Sequence, residues 1–182
     1  MQWLLSMSTL LGLAIVLAPG TAAAWDPAEV ERLDAKAQEA RAALLADDAE
    51  MQRFFDSAVA YVIIPSVGKA GFGVGGARGK GLLYEGGVPT AIVTLTQLTV
   101  GFQWGGQVYS EFLFFRDDDA TEDFRRGNYE LGAQASAVAV TAGVSADADY
   151  QAGVAIFTRA KGGLMYEASV GGQKFKLEPV AS

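Results

Sequence analysis

The chain opens on an apolar, uncharged run. Leu4, Leu5 and then residues 10–18 carry it, Pro19-Gly20 breaks it, and Ala22-Ala23-Ala24 follows. This pattern predicts an export signal over 1–24, cut before Trp25. The run is short beside the ~20 residues of a spanning helix. Met1 to Trp3 offers no Lys or Arg, so retention as an uncleaved anchor stays open as the alternative. Helical periodicity begins after Trp25. Asp26-Pro27-Ala28-Glu29 supplies an N-cap, a proline at the first helical position and an acid to close a capping box. Val30, Leu33, Ala37, Ala40 and Leu44 then recur at spacings of three and four, one face of a helix. A second short helix is expected from Asp47 or Asp48, turning Met51, Phe54 and Phe55 inward.

The period then changes to alternation. Tyr61-Val62-Ile63-Ile64 predicts a strand ended by Pro65, and paired glycines punctuate the rest: Gly75-Gly76, Gly86-Gly87, Gly105-Gly106, Gly162-Gly163 and Gly171-Gly172. Such pairs allow positive φ and suit hairpins or bulges. Further strands are expected over 98–104, 129–140, 153–157, 164–170 and 174–177. Phe112-Leu113-Phe114-Phe115, apolar on both faces, predicts a central strand. Asp119-Ala120-Thr121-Glu122 is a second capping box, so 119–126 reads as a short surface helix stopped at Gly127. The fold class is α+β: N-terminal helices packed on a mainly antiparallel, glycine-rich β-sheet or barrel-like sheet. One domain over 25–182 is expected.

Charge narrows the partners. Fourteen basic residues against 21 acidic give a net charge of −7, and every charge lies beyond residue 24. That balance disfavours nucleic acid, whose binding is mostly electrostatic. It requires any contact with an anionic membrane to use a local basic patch. With no His and no Cys, the commonest general base, the thiol nucleophile and the soft zinc ligands are missing. No catalytic residue, metal or organic cofactor is therefore expected. Asp117-Asp118-Asp119 with Glu122 and Asp123 lacks the spacing of a calcium loop and suits a solvated helix start. The run Gly71-Phe72-Gly73-Val74-Gly75-Gly76 leads into a strand, not a helix, which excludes a dinucleotide fold.

The extended motif Pro65-Ser66-Val67-Gly68-Lys69-Ala70-Gly71-Phe72-Gly73-Val74-Gly75-Gly76-Ala77-Arg78-Gly79-Lys80-Gly81 resembles the signature of the SYLF family, a lipid-binding family also labelled an actin-regulator domain. Three further blocks follow in the family's order: Val100-Gly101-Phe102-Gln103-Trp104-Gly105-Gly106-Gln107, Tyr129-Glu130-Leu131-Gly132-Ala133 and Lys161-Gly162-Gly163-Leu164-Met165-Tyr166. The resemblance implies binding rather than catalysis, with phosphoinositides and, in fungal relatives, actin-assembly factors as partners. Gly87-Val88-Pro89 departs from the family, which often has Trp before that proline. The signal-like start also removes an actin role.

The basic residues around the glycines are the candidate lipid-binding set: Lys69, Arg78 and Lys80, joined by Arg159 and Lys161. Gly71, Gly73, Gly75, Gly76, Gly79 and Gly81 are the candidate backbone, with successive N–H groups forming a nest for an anion. The functional expectation is an exported, non-enzymatic protein, periplasmic or secreted, that meets anionic lipid at a membrane surface. A protein partner is open. A small outer-membrane β-barrel, a protein-interaction module of the cell envelope and a hydrolase of another type are the competing readings. A chain end without an aromatic strand terminus and a helical stretch before the strands weigh against the barrel.

Overall fold

The computed structural model describes residues 26–72, 74–100, 105–127, 129–132, 136–140, 148–161 and 168–180. The expected signal segment lies outside them. Asp26 caps helix α1 (Pro27–Asp47) by accepting a hydrogen bond from the Ala28 N–H at 3.0 Å. The capping box does not close, because the Glu29 carboxylate turns to Lys80 of the sheet. Ala37, Ala40 and Leu44 are buried, with Val30 and Leu33 packed partly beside them, as the spacing requires. Asp48 then caps a 3₁₀ turn, Ala49–Met51, that leads into α2 (Gln52–Ser57) and buries Met51, Phe54 and Phe55. Among the described residues no helix is long and apolar enough to cross a membrane.

Among the described residues nine strands form one curled, half-barrel sheet. They are β1 (Ala60–Phe72), β2 (Val74–Glu85), β3 (Val88–Val100), β4 (Gly105–Phe115), β5 (Tyr129–Glu130), β6 (Ser136–Ala139), β7 (Val154–Ala160), β8 (Ala168–Ser169) and β9 (Gln173–Pro179). Their spatial order is β5-β9-β3-β2-β1-β4-β7-β6-β8. Among the described residues every strand pairing is antiparallel except β6 with β7. The α+β class is as expected.

Several boundaries differ from the sequence expectation, each for a physical reason. Pro65 does not end β1. Both ladders of β1 shift register around it, so the missing N–H falls in a bulge where it breaks no pairing. The Ser110 hydroxyl donates to the Pro65 carbonyl at 2.9 Å and satisfies it. The expected strand over 98–104 is the end of β3, which begins at Val88, and 101–104 lie outside the described residues. The stretch 129–140 divides into β5 and β6, which pair with different strands far apart in the sheet. Helix α3 (Asp118–Arg125) starts one residue earlier than expected because Asp117, not Asp119, is the cap, accepting from the Ala120 N–H at 2.9 Å. Gly127 follows at φ 74°, and Gly86 and Gly87 turn the β2–β3 hairpin at φ 57° and 79°.

Alternation along the strands builds two cores. One face meets α1 and α2: Tyr61, Ile63, Leu82, Tyr84, Ile92, Phe112, Phe114 and Phe157 pack on Leu44, Met51, Phe54 and Phe55. Phe54 and Phe55 reach Phe114 with ring centroids at 5.5 and 4.9 Å. The opposite, inner face gathers Val62, Val67, Leu83, Val93, Leu95, Leu113 and Phe175, and Phe124 of α3 closes it against Phe115 and Phe175. A small membrane barrel shows the reverse pattern, apolar outside and polar within.

Candidate functional site

The helices cover only part of their face. Beyond α1, toward the tip of the β1–β2 hairpin, no helix among the described residues covers the same face of the sheet, and the register fixes what it presents. One row runs Lys174, Thr96, Arg78, Gly68 and Val108 across β9, β3, β2, β1 and β4. The Lys161 N–H donates to the Val108 carbonyl at 2.9 Å and extends that row to β7. The next row runs Lys176, Thr94, Lys80 and Ser66, and Ser110 pairs with Arg159 on its far side. Gly68, Ser66 and Ala70 are exposed and make a floor of small residues between the flanking cations. A Cβ built on Gly68 meets nothing within 4 Å, so the floor opens to solvent. The cations of β2 and β7 are three strand spacings apart, about 14 Å.

Four of the five candidate cations, Arg78, Lys80, Arg159 and Lys161, thus share one face. Lys69 does not. It follows Gly68 in the alternation, points to the inner face and is 9 % exposed, where burial lowers its pKa against the opposing pull of Glu111. Lys174 and Lys176 belong to the face and were missed by sequence reasoning. They lie in a terminal strand nearly a hundred residues from the motif, and only the β3–β9 pairing brings them in. Helix α1 is fastened across this face at both ends. Glu29 pairs with Lys80 at 2.5 Å, and Asp47 takes Arg159 at 2.6 and 3.5 Å. Lys174 pairs with Glu130 and Lys176 with Glu178, at 3.3 and 3.1 Å. Among the described residues Arg78 and Lys161 have no carboxylate partner. Between α1 and the sheet lies a groove of about 580 Å³, formed because Ala40, Ala43, Ser66, Ser110 and Ala160 are all small, with Lys36, Glu39, Arg159 and Lys161 also lining it.

The glycines of the motif act otherwise than as an anion nest. Gly71, Gly75, Gly76, Gly79 and Gly81 stand in the β1–β2 ladder, and their backbone is extended, while Gly73 lies outside the described residues. Gly79 and Gly81 alternate with the outward Arg78 and Lys80 and face the bulge of β1. A Cβ on Gly81 would come within 2.1 Å of the Ile63 carbonyl oxygen. The acidic cluster of α3 is used locally: Asp117 caps, Glu122 meets Arg125 and Asp123 meets Arg126, both at 3.0 Å.

Residues 96–179 match the family model of Ysc84, described as Las17-binding protein actin regulator. That stretch is similar to the Ysc84 (SYLF) family. The matched stretch begins in β3 and contains three of the four sequence blocks, with the glycine-rich block ahead of it. SYLF domains are associated with lipid and protein interactions. No curated protein matches the chain. The matched stretch includes Lys161, Lys174 and Lys176 on this face and the strands that hold the two C-terminal lysines.

Proposed function

We propose that this SYLF-like chain is a non-catalytic lipid-binding protein that works outside the cytoplasm after loss of residues 1–24. Its cationic face meets anionic phospholipid headgroups at a membrane surface. The observation that carries the reading is the pair of cationic rows flanking a small-residue floor in a chain of net charge −7. A floor of Gly and Ser lets a phosphate approach the sheet, and lysine and arginine supply point charge and fork. A catalytic role finds no support in the composition, which lacks His and Cys. Outward charges at Arg78, Lys80, Lys174 and Lys176 would sit in hydrocarbon if the sheet spanned a bilayer, which weighs against the barrel reading.

The test uses protein recovered from outside the cytoplasm, whose N-terminus should be Trp25. It should float with acidic vesicles and not with zwitterionic ones, and added salt should release it. Arg78→Gln with Lys161→Gln removes two cations that no carboxylate neutralises, and should weaken flotation by about 2 kcal/mol. Equal flotation of the folded double variant sinks the headgroup assignment, and Met1 retained on membrane-held protein sinks the export part.

A further inference from the structure

Beside the cationic rows, β3 outruns its neighbour. The β3–β9 ladder stops at Gln97 with Gln173, yet β3 continues to Val100. Leu98, the first residue past that stop, is 85 % exposed. A concavity of about 550 Å³ with a mainly apolar surface lies beside it, lined by Ala77, Thr96, Gln97, Leu98, Glu130 and Gly172. Arg78 and Lys174 stand on its rim, in one register row with Thr96 between them, and Glu130 reaches Lys174 at 3.3 Å. Volumes of 300–1,000 Å³ are usual for ligand sites. An apolar slot whose mouth carries Arg78 beside a Lys174–Glu130 pair, a net positive rim, is complementary to an alkyl chain ending in an anion.

We propose that this slot binds a single alkyl chain carrying an anionic head, as in a fatty acid, a lysophospholipid or one acyl chain drawn from a bilayer lipid. The proposal rests on the headgroup face above and extends it from charge recognition to chain recognition. Arg78 meets the head, being the rim cation without a carboxylate partner among the described residues, and Leu98 packs along the first methylenes. Thr96 lies between the rim cations at the level where head and chain join.

The probe is a series of alkyl phosphates from methyl to dodecyl, each below its micelle concentration, titrated calorimetrically into the mature chain. Each methylene that enters the slot should tighten binding roughly twofold to fourfold. Leu98→Gln should flatten that dependence, and its exposed position leaves the fold intact, as a thermal melt would verify. Arg78→Gln should weaken every member alike and keep the slope. Affinity independent of chain length in the parent overturns the slot, as does a slope that survives Leu98→Gln unchanged. A flat series in a protein that still floats with acidic vesicles removes the slot and leaves the headgroup face. A sloped series in a protein that does not float keeps the slot and removes the membrane surface. A peptide added along the β3 edge would compete with dodecyl phosphate without reproducing the methylene dependence, so a flat series with peptide binding also overturns the proposal.

Discussion

Gly81 carries a constraint that its neighbours do not. An added Cβ would lie 2.1 Å from the Ile63 oxygen and 2.7 Å from the Ile64 Cα, both backbone atoms that cannot swing aside. At Gly79 the nearest atom is the Ile64 Cγ2 at 2.7 Å, a side-chain atom, and the nearest backbone atom, the Ser66 oxygen, is farther away at 3.1 Å. Gly68 has open space above it. Alanine should therefore act in graded fashion along the motif. Gly81→Ala is expected to cost about 3 kcal/mol or to prevent folding, Gly79→Ala about 1–3 kcal/mol, and Gly68→Ala almost nothing. Denaturant titration of the three variants is the check, and a Gly81→Ala protein as stable as the parent would remove the close-approach argument. The alternation of cation and glycine at 78–81 was visible in the sequence. Its meaning was not, because a nest and a strand with inward glycines share the same residues. The bulge at Pro65, made by a different strand, decides between them.

Among the elements, α1 shows how far periodicity reaches and where it stops. Its cap, its proline and its buried stripe follow from local spacing alone, and all three appear in the fold. Its ion pairs do not. Lys80 is 51 residues from Glu29 and Arg159 is 112 from Asp47, so they depend on how the sheet is ordered. The same holds for the strands. Central β4 was legible from its run of Phe and Leu, whereas the short edge strands β5 and β8 are set by partners rather than by pattern. The α1 pairs have a functional consequence. Glu29 and Asp47 occupy two cations of the headgroup face, and an anionic headgroup must compete with them. Glu29→Gln combined with Asp47→Asn should tighten flotation with acidic vesicles several-fold. It should lower stability by no more than about 1 kcal/mol, since such exposed pairs contribute little. Unchanged or weaker flotation would show that the helix does not mask the face.

Across the whole molecule the curl of the sheet is fastened from within. Gln173 of β9 donates to the Glu111 carboxylate of β4 at 3.0 Å, joining strands that stand four places apart in the sheet order. In the sequence Glu111 is one acid beside an apolar run, and nothing local marks it as interior. Only the curl, which turns one face of β4 toward β9, buries it completely. Burial pushes its pKa up to about 8, opposed by the Gln173 hydrogen bond and by the Lys69 charge on the same inner face, while the Tyr109 phenol stands close by with its own pKa raised. Its second oxygen has no hydrogen-bond partner. The carboxyl is thus protonated in the folded chain at neutral pH and ionised in the unfolded chain. Below about pH 4.5 both states hold the proton and the group has no effect on stability. Between about 4.5 and 8 only the folded state holds it, so each pH unit upward lowers stability by up to about 1.4 kcal/mol, and above 8 the loss levels off. Glu111→Gln keeps the shape and an acceptor for Gln173 while removing the titration. Urea unfolding from pH 5 to 8 should therefore show a falling stability in the parent and a flatter profile in the variant, with the two curves separating as pH rises. Parallel curves would mean that Glu111 is not held protonated in the interior.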